Sequence, residues 1–371
     1  MMPAATPKMK NRMNTQLPKP NRVIRKYPIP APIATANTIE KPTVLSAPIV
    51  FMLSAIVLRF WSISRAKYTQ DRGSLMKSVG CSLVFACLSF SAVSPSAQQK
   101  EAAAKTAQVY VGVVDAKGNA VRDLTVKDFV VREDGNAREV LRAEPATEPL
   151  DIMLLVDDSQ AATGAIPYLR DGLQKFIERM QGKAKIGIVT VGDRPTSLVE
   201  YTTDTAALTK SVKRIFARPG GGAYLLEAVR DVSRGMRKRE NQPRPVIIAL
   251  TVEGIEFSNL QYERVMDDLR ASGATFHALA IGTPAATVSD ELRNRGLLLS
   301  EGTKETGGRY DQLLSPMAIE ERLQQLAGEL LNQYRVTYAR PDTLIPPEKV
   351  QVTTAKPGLT ARARTRVISA K

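Results

Sequence analysis

Leu150-Asp151-Ile152-Met153-Leu154-Leu155-Val156-Asp157-Asp158-Ser159 is the stretch on which the fold turns. A short apolar run ends abruptly in two carboxylates and a hydroxyl. Such a run reads as a strand buried on both faces, as in a parallel sheet covered by helices. In an open α/β sheet, ligands sit beyond the carboxyl ends of the strands. The polar cluster on this strand tip is therefore the candidate site.

Outward from this strand, apolar runs and amphipathic stretches alternate from 150 to about 335. Strands are expected at 152–156, 185–191, 197–201, 246–251, 275–281 and 308–311. Apolar residues spaced by three and four predict helices over 166–180, 205–216, 224–239, 262–272 and 316–331. The alternation implies a doubly wound, mostly parallel α/β sheet flanked by helices. Upstream, Val109, Val111 and Val113 alternate with other residues. Asp115-Ala116-Lys117-Gly118-Asn119 and Glu133-Asp134-Gly135-Asn136 mark turns. Residues 144–149 read as a linker. Segments 334–339, 348–353 and 359–368 read as strands that could join the N-terminal unit in a small β accessory. The expected divisions are an N-terminal β unit over 98–148, the alternating domain over 149–332 and C-terminal strands over 333–371.

The net charge of +15 suggests a nucleic-acid binder until it is located. Residues 1–75 hold 12 Lys and Arg against Glu40 and Asp71, and 76–97 add Lys77. The rest holds 39 basic and 35 acidic residues, a net of +4, so no nucleic-acid partner is expected. Met76-Lys77, an apolar run from Val79 to Val93, and Ser94-Pro95-Ser96-Ala97 have the layout of a secretory signal peptide. Translation is then expected to start at Met76, with 1–75 a start-site artefact or a disordered basic segment. The competing reading is a membrane segment at 44–61, which contains Pro48 and Arg59. A secreted, periplasmic or cell-envelope location, one that allows envelope association, is expected from such a leader. Both cysteines, Cys81 and Cys87, fall inside it, so the mature chain would lack disulfides and Cys-bound zinc.

Asp157-Asp158-Ser159 after a buried strand, Gly220-Gly221-Gly222-Ala223 opening a helix, and Leu250-Thr251-Val252-Glu253-Gly254 ending a later strand occur in colinear order. Together they resemble a von Willebrand factor type A domain. Val113-Val114-Asp115 through Glu133-Asp134-Gly135, with the tail Gln333-Tyr334-Arg335-Val336-Thr337-Tyr338 and Lys356-Pro357-Gly358-Leu359, resembles a bacterial subfamily first described in acidobacteria.

The resemblance implies a metal-ion-dependent adhesion site of pattern Asp-x-Ser-x-Ser, completed by a Thr after the glycines and an Asp before a later Gly. Those oxygens would surround Mg²⁺, which takes about six oxygens near 2.0–2.1 Å. Asp157 and Ser159 match the pattern. Ala161 replaces the second serine, Ala223 the threonine, and Glu253 is a displaced substitute for the later acid. The expected cofactor is none, or weakly bound Mg²⁺ held by Asp157, Ser159 and Glu253. Binding of a protein partner is expected near Asp157, Ser159, Gly221, Gly222, Ala223 and Glu253, with no catalysis.

Rival readings of the same residues are weaker. Receiver domains share the acidic pair but need a lysine after a later strand, where this chain has Gly282-Thr283-Pro284. Gly220-Gly221-Gly222 lacks the Gly-Lys-Ser/Thr continuation of a phosphate loop. His277, the sole histidine, lies in an apolar strand and reads as a core residue, which leaves no material for a hydrolytic triad. Arg237-Lys238-Arg239 and 362–366 read as solvated faces. The remaining alternative is a divalent-cation-dependent enzyme or enzyme-associated subunit using Asp157, Asp158 and Glu253.

Overall fold

The computed structural model describes residues 105–239, 244–284, 289–341 and 344–367. The expected leader, the basic segment before it and the apolar stretch 44–61 lie outside these residues. Four strands come first: β1 (Thr106–Val114), β2 (Phe129–Glu133), β3 (Asn136–Arg138) and β4 (Val140–Pro145). The alternating unit starts with β5 (Leu150–Val156), α1 (Ile166–Met180), β6 (Ala184–Thr190), β7 (Thr196–Thr202), α2 (Thr205–Val212) and α3 (Leu225–Lys238). It continues with β8 (Arg244–Val252), α4 (Tyr262–Ser272), β9 (Thr275–Ile281), α5 (Asp290–Thr306), β10 (Tyr310–Leu313) and α6 (Ile319–Leu331). Strands β11 (Tyr334–Ala339), β12 (Val350–Thr354) and β13 (Thr360–Arg362) follow.

The main sheet runs β10-β9-β8-β5-β6-β7, parallel except for the β7 edge. Central β5 is buried at every position because helices cover both faces. Leu150, Ile152, Leu154 and Val156 join one core with α1, α2 and α6. Met153 and Leu155 point the other way, into a core with α3, α4 and α5. The two-residue period of a strand thus splits one apolar run between two layers. Truncating a side chain such as Leu154 to alanine would cost about 2–5 kcal/mol.

Flanking strands from both ends of the described chain build a second body. β1 pairs antiparallel with β11 from Thr106↔Ala339 to Val111↔Tyr334, in a sheet ordered β13-β1-β11-β4. A three-stranded sheet, β12-β2-β3, faces it across a core that includes Val111, Phe129, Tyr334 and Val336. Residues 225 positions apart therefore share one apolar layer (Val111 and Val336).

Several sequence expectations need correction. Helix α5 has no counterpart among the predicted helices. Its buried face includes Arg295, Gly302, Thr303 and Thr306 beside Leu298 and Leu299, so no apolar stripe announces it. Its readable signals are caps: Ser289 Oγ accepts the amide of Leu292 at 3.3 Å, and Gly307 ends it in the left-handed region. The strand expected at 308–311 lies at Tyr310–Leu313, set by pairing with β9 rather than by local pattern. Part of the expected linker belongs to β4, held by β11. Nor is 362–366 a solvated face throughout. Arg362 bonds to buried Glu329, and Arg364 Nη2 donates to the Gly273 carbonyl at 2.6 Å.

Candidate functional site

Asp157 emerges from β5 fully buried, and its carboxylate faces backbone amides. Oδ1 accepts the amide of Ser159 at 2.9 Å; Oδ2 accepts the amide of Val252 at 2.9 Å and lies 3.4 Å from the Thr251 hydroxyl. Next to it, Asp158 Oδ1 accepts the amide of Gly192 at 2.6 Å, and Oδ2 pairs with Arg218 Nε at 2.8 Å. Both acids at the strand tip already have partners from neighbouring loops. Ser159, 2% exposed, leads into a 3-10 turn over Gln160–Gly164 without capping it through its side chain.

The glycine loop closes over this turn. Gln160 donates its amide to the Gly221 carbonyl at 3.1 Å, and its side-chain oxygen accepts the amide of Gly220 at 2.8 Å. Gly222 must lack a side chain here, since a Cβ would meet the Phe257 ring at 2.6 Å. Ala223 is 2% exposed and bridges Gly192 on one side and Glu256 on the other. Its amide donates to Ile255 O at 2.8 Å and its carbonyl accepts from Phe257 N at 2.7 Å. The side chain at this position is therefore covered.

The loop after β8 inverts the usual burial. Glu256 and Ser258, 4% and 1% exposed, point inward, while Ile255 and Phe257, 66% and 44% exposed, point out. The inward pair caps α3 from a distance: Glu256 Oε1 accepts the amide of Leu225 at 3.0 Å, and Ser258 Oγ that of Leu226 at 3.1 Å. The first amides of a helix lack intrahelical acceptors, so these side chains satisfy them. Burial raises the Glu256 carboxyl to about 7, against the pull of Ser258, Arg295 and the two amides. Phe257 leans on the Tyr224 ring at 5.8 Å.

Glu253 follows β8 with its side chain against Gly282. Its carboxylate lies 3.5 Å from Arg295 Nη2 and 3.5 Å from Gln312 Nε2. Arg295, 2% exposed, also donates to Val252 O at 3.2 Å. Among the described residues, no three His, Cys, Asp or Glu side chains gather as a metal-ligand group.

The three loops carrying Asp157, Ala223 and Glu253 meet at one rim of the sheet, through the Asp157–Val252, Gln160–Gly221 and Ala223–Ile255 bonds. Arg218, Arg295, Ile255, Glu256 and Phe257 were not among the residues singled out from sequence. Period-two alternation in Ile255-Glu256-Phe257-Ser258 was the available signal, but it does not tell which face is inward. His277, 1% exposed, accepts the Arg309 amide through Nδ1 at 3.1 Å, and burial pushes its pKa down to about 3. It is a neutral core residue.

Residues 152–253 match the family described as von Willebrand factor type A domain. No curated protein sequence matches the chain. Similar solved structures include proximal thread matrix protein 1 from the mussel byssus with a zinc-occupied MIDAS motif: 15% identity, 54% of this chain, 49% of that chain, TM-score 0.41. The vWF domain of the type V pili tip protein Mfa5 from Porphyromonas gingivalis gives 12%, 50%, 96% and 0.38. A von Willebrand factor type A protein from Catenulispora acidiphila gives 13%, 66%, 73% and 0.41. This chain spans about half the length of the mussel protein, 49%. At these scores the likenesses say nothing about what the chain binds. The matched segment runs from within β5 to the residue after β8, the strands whose tips build the rim. Residues 152–253 thus match a von Willebrand factor type A domain, and the strands they span lie in a mostly parallel, helix-flanked sheet of that fold type.

Proposed function

We propose that this protein is a non-catalytic interaction module whose rim docks a protein partner through apolar side chains, without a bridging metal. The inverted loop carries this reading. Ile255 and Phe257 are held outward because Glu256 and Ser258 are fastened inward to the start of α3. Exposed aromatic and aliphatic side chains on a braced loop suit protein recognition.

The residues present do not fit Mg²⁺. Ala161 and Ala223 offer no side-chain oxygen, Asp157 has both oxygens on backbone amides, and Glu253 faces Arg295 and Gln312. A hard cation would have to strip these carboxylates from their present donors. Arg218 and Arg295 already pair with Asp158 and Glu253. The same engagements leave Asp157, Asp158 and Glu253 poorly placed for acid–base chemistry. The signal-peptide-like layout of residues 76–97 supports export, with Gln98 as the expected mature N-terminus. The motifs flanking the domain support membership of the bacterial subfamily first described in acidobacteria.

The test is cross-linking capture from an envelope fraction in EDTA and in Mg²⁺, using the wild-type chain and an Ile255→Asp/Phe257→Asp variant of intact circular dichroism. Capture in EDTA that the variant loses is the expected result. Capture that requires Mg²⁺, or that the variant retains, refutes the proposal.

A further inference from the structure

At the amino ends of β8 and β9, away from the Asp157 rim, a cavity of about 400 Å³ opens between the main sheet and the accessory strands. Four arginines (Arg244, Arg340, Arg364 and Arg366) line it, and no aspartate or glutamate does among the described residues. Two of the four have carboxylate partners: Arg340 Nε donates to Glu133 Oε1 at 2.7 Å, and Arg366 Nε lies 3.4 Å from Glu305. The other two have none among the described residues. Arg364 donates to the Gly273 carbonyl at 2.6 Å, and desolvation lowers its pKa with no opposing charge. Arg244, 6% exposed, donates to the Leu330 carbonyl and the Gln333 side-chain oxygen, both at 2.6 Å, and to the Glu148 carbonyl at 3.0 Å. Its Nε is buried without a partner. The Glu148 carboxylate acts on it only at longer range and is itself paired with Arg335.

Burying a guanidinium without a counter-charge is unfavourable, so buried ones are normally paired. Buried Arg244 and half-buried Arg364 border one cavity with no acid on its wall, and together they create a field that an anion would relieve. We propose that this cavity binds a compact oxyanion carrying at least two negative charges, with the Arg364 fork as its main contact and Arg244 supplying field from below. Guanidinium matches phosphate and carboxylate oxygens alike. Strands of both bodies wall the cavity, so an occupant would fasten the accessory strands to the main sheet.

Calorimetric titration of the full chain with inorganic phosphate and with citrate, at constant ionic strength and with chloride as control, tests this. Saturable binding of at least one anion is expected, with a matching rise in Tm. Phosphate alone would point to a phosphoester ligand, citrate alone to a polycarboxylate. Arg364→Gln should weaken binding about tenfold or more, and Arg364→Lys, which keeps the charge and loses the fork, by less. Arg366→Gln should leave it within about threefold, because that side chain is already paired. No saturable heat from either anion with folded wild-type protein overturns the proposal. So does unchanged affinity in both Arg364 variants. Neither result bears on the apolar rim.

Discussion

Asp157 Oδ2 accepts the amide of Val252 at 2.9 Å, joining the tip of β5 to the last residue of β8. With Oδ1 on the Ser159 amide, the carboxylate acts as a clasp between neighbouring strand ends. In this chain a residue type associated with metal binding holds loops together.

Replacing that clasp should weaken the fold. In Asp157→Asn one side-chain oxygen becomes a donor facing an amide. A lost bond to a charged group costs about 1.5–3 kcal/mol. Urea unfolding should show a destabilisation of about that size, equal in EDTA and in Mg²⁺. A variant as stable as wild type would remove the clasp from consideration.

Gly254 sits against Ala161. A Cβ there would lie 2.5 Å from the Ala161 Cβ, so Gly254→Ala forces the two loops apart. Overpacking of this kind costs about 1–3 kcal/mol. Ala161→Gly in the same chain should recover much of the loss. A four-member unfolding cycle measures the coupling, and strict additivity would contradict the contact.

Glu256 introduces a pH dependence with a definite sign. Its carboxyl is raised from 4.5 to about 7 by burial, so the folded state holds a proton that the unfolded state has released. The stability tied to the neutral form is complete below 4.5 and is lost as pH rises through about 7. The loss is on the order of 3 kcal/mol. Glu256→Gln keeps an acceptor for Leu225 and should flatten this slope. Unfolding midpoints measured from mildly acidic to mildly alkaline pH would refute the assignment if both proteins ran parallel.

His277 works in the opposite direction. Burial lowers its pKa from 6.5 to about 3, so the unfolded chain takes up a proton that the folded chain refuses. Its contribution is present above 6.5 and is lost as pH falls toward about 3. Because it is the chain's only histidine, one set of imidazole NMR signals reports on it in the untagged protein. Those signals should not titrate between pH 5 and pH 8, and a midpoint near 6.5 would mean the ring is solvated.

The sequence alone determined the layered α/β architecture. A strand such as Leu150–Val156, buried on both faces, needs an apolar residue at nearly every position, and helices buried on one face repeat their apolar residues every three or four. The loops that meet at the strand tips were legible because their motifs keep a colinear order. Helix α5 was not, because its inward face is partly glycine, threonine and arginine. Tertiary structure alone decided which way each rim side chain faces. Alternation in Ile255-Glu256-Phe257-Ser258 allows either face inward, and only the unsatisfied amides at the start of α3 turn the acid in and the aromatic ring out. The pairing of Arg218 with Asp158, 60 residues apart, and the convergence of four arginines on one cavity likewise depend on chain crossings that no local pattern records.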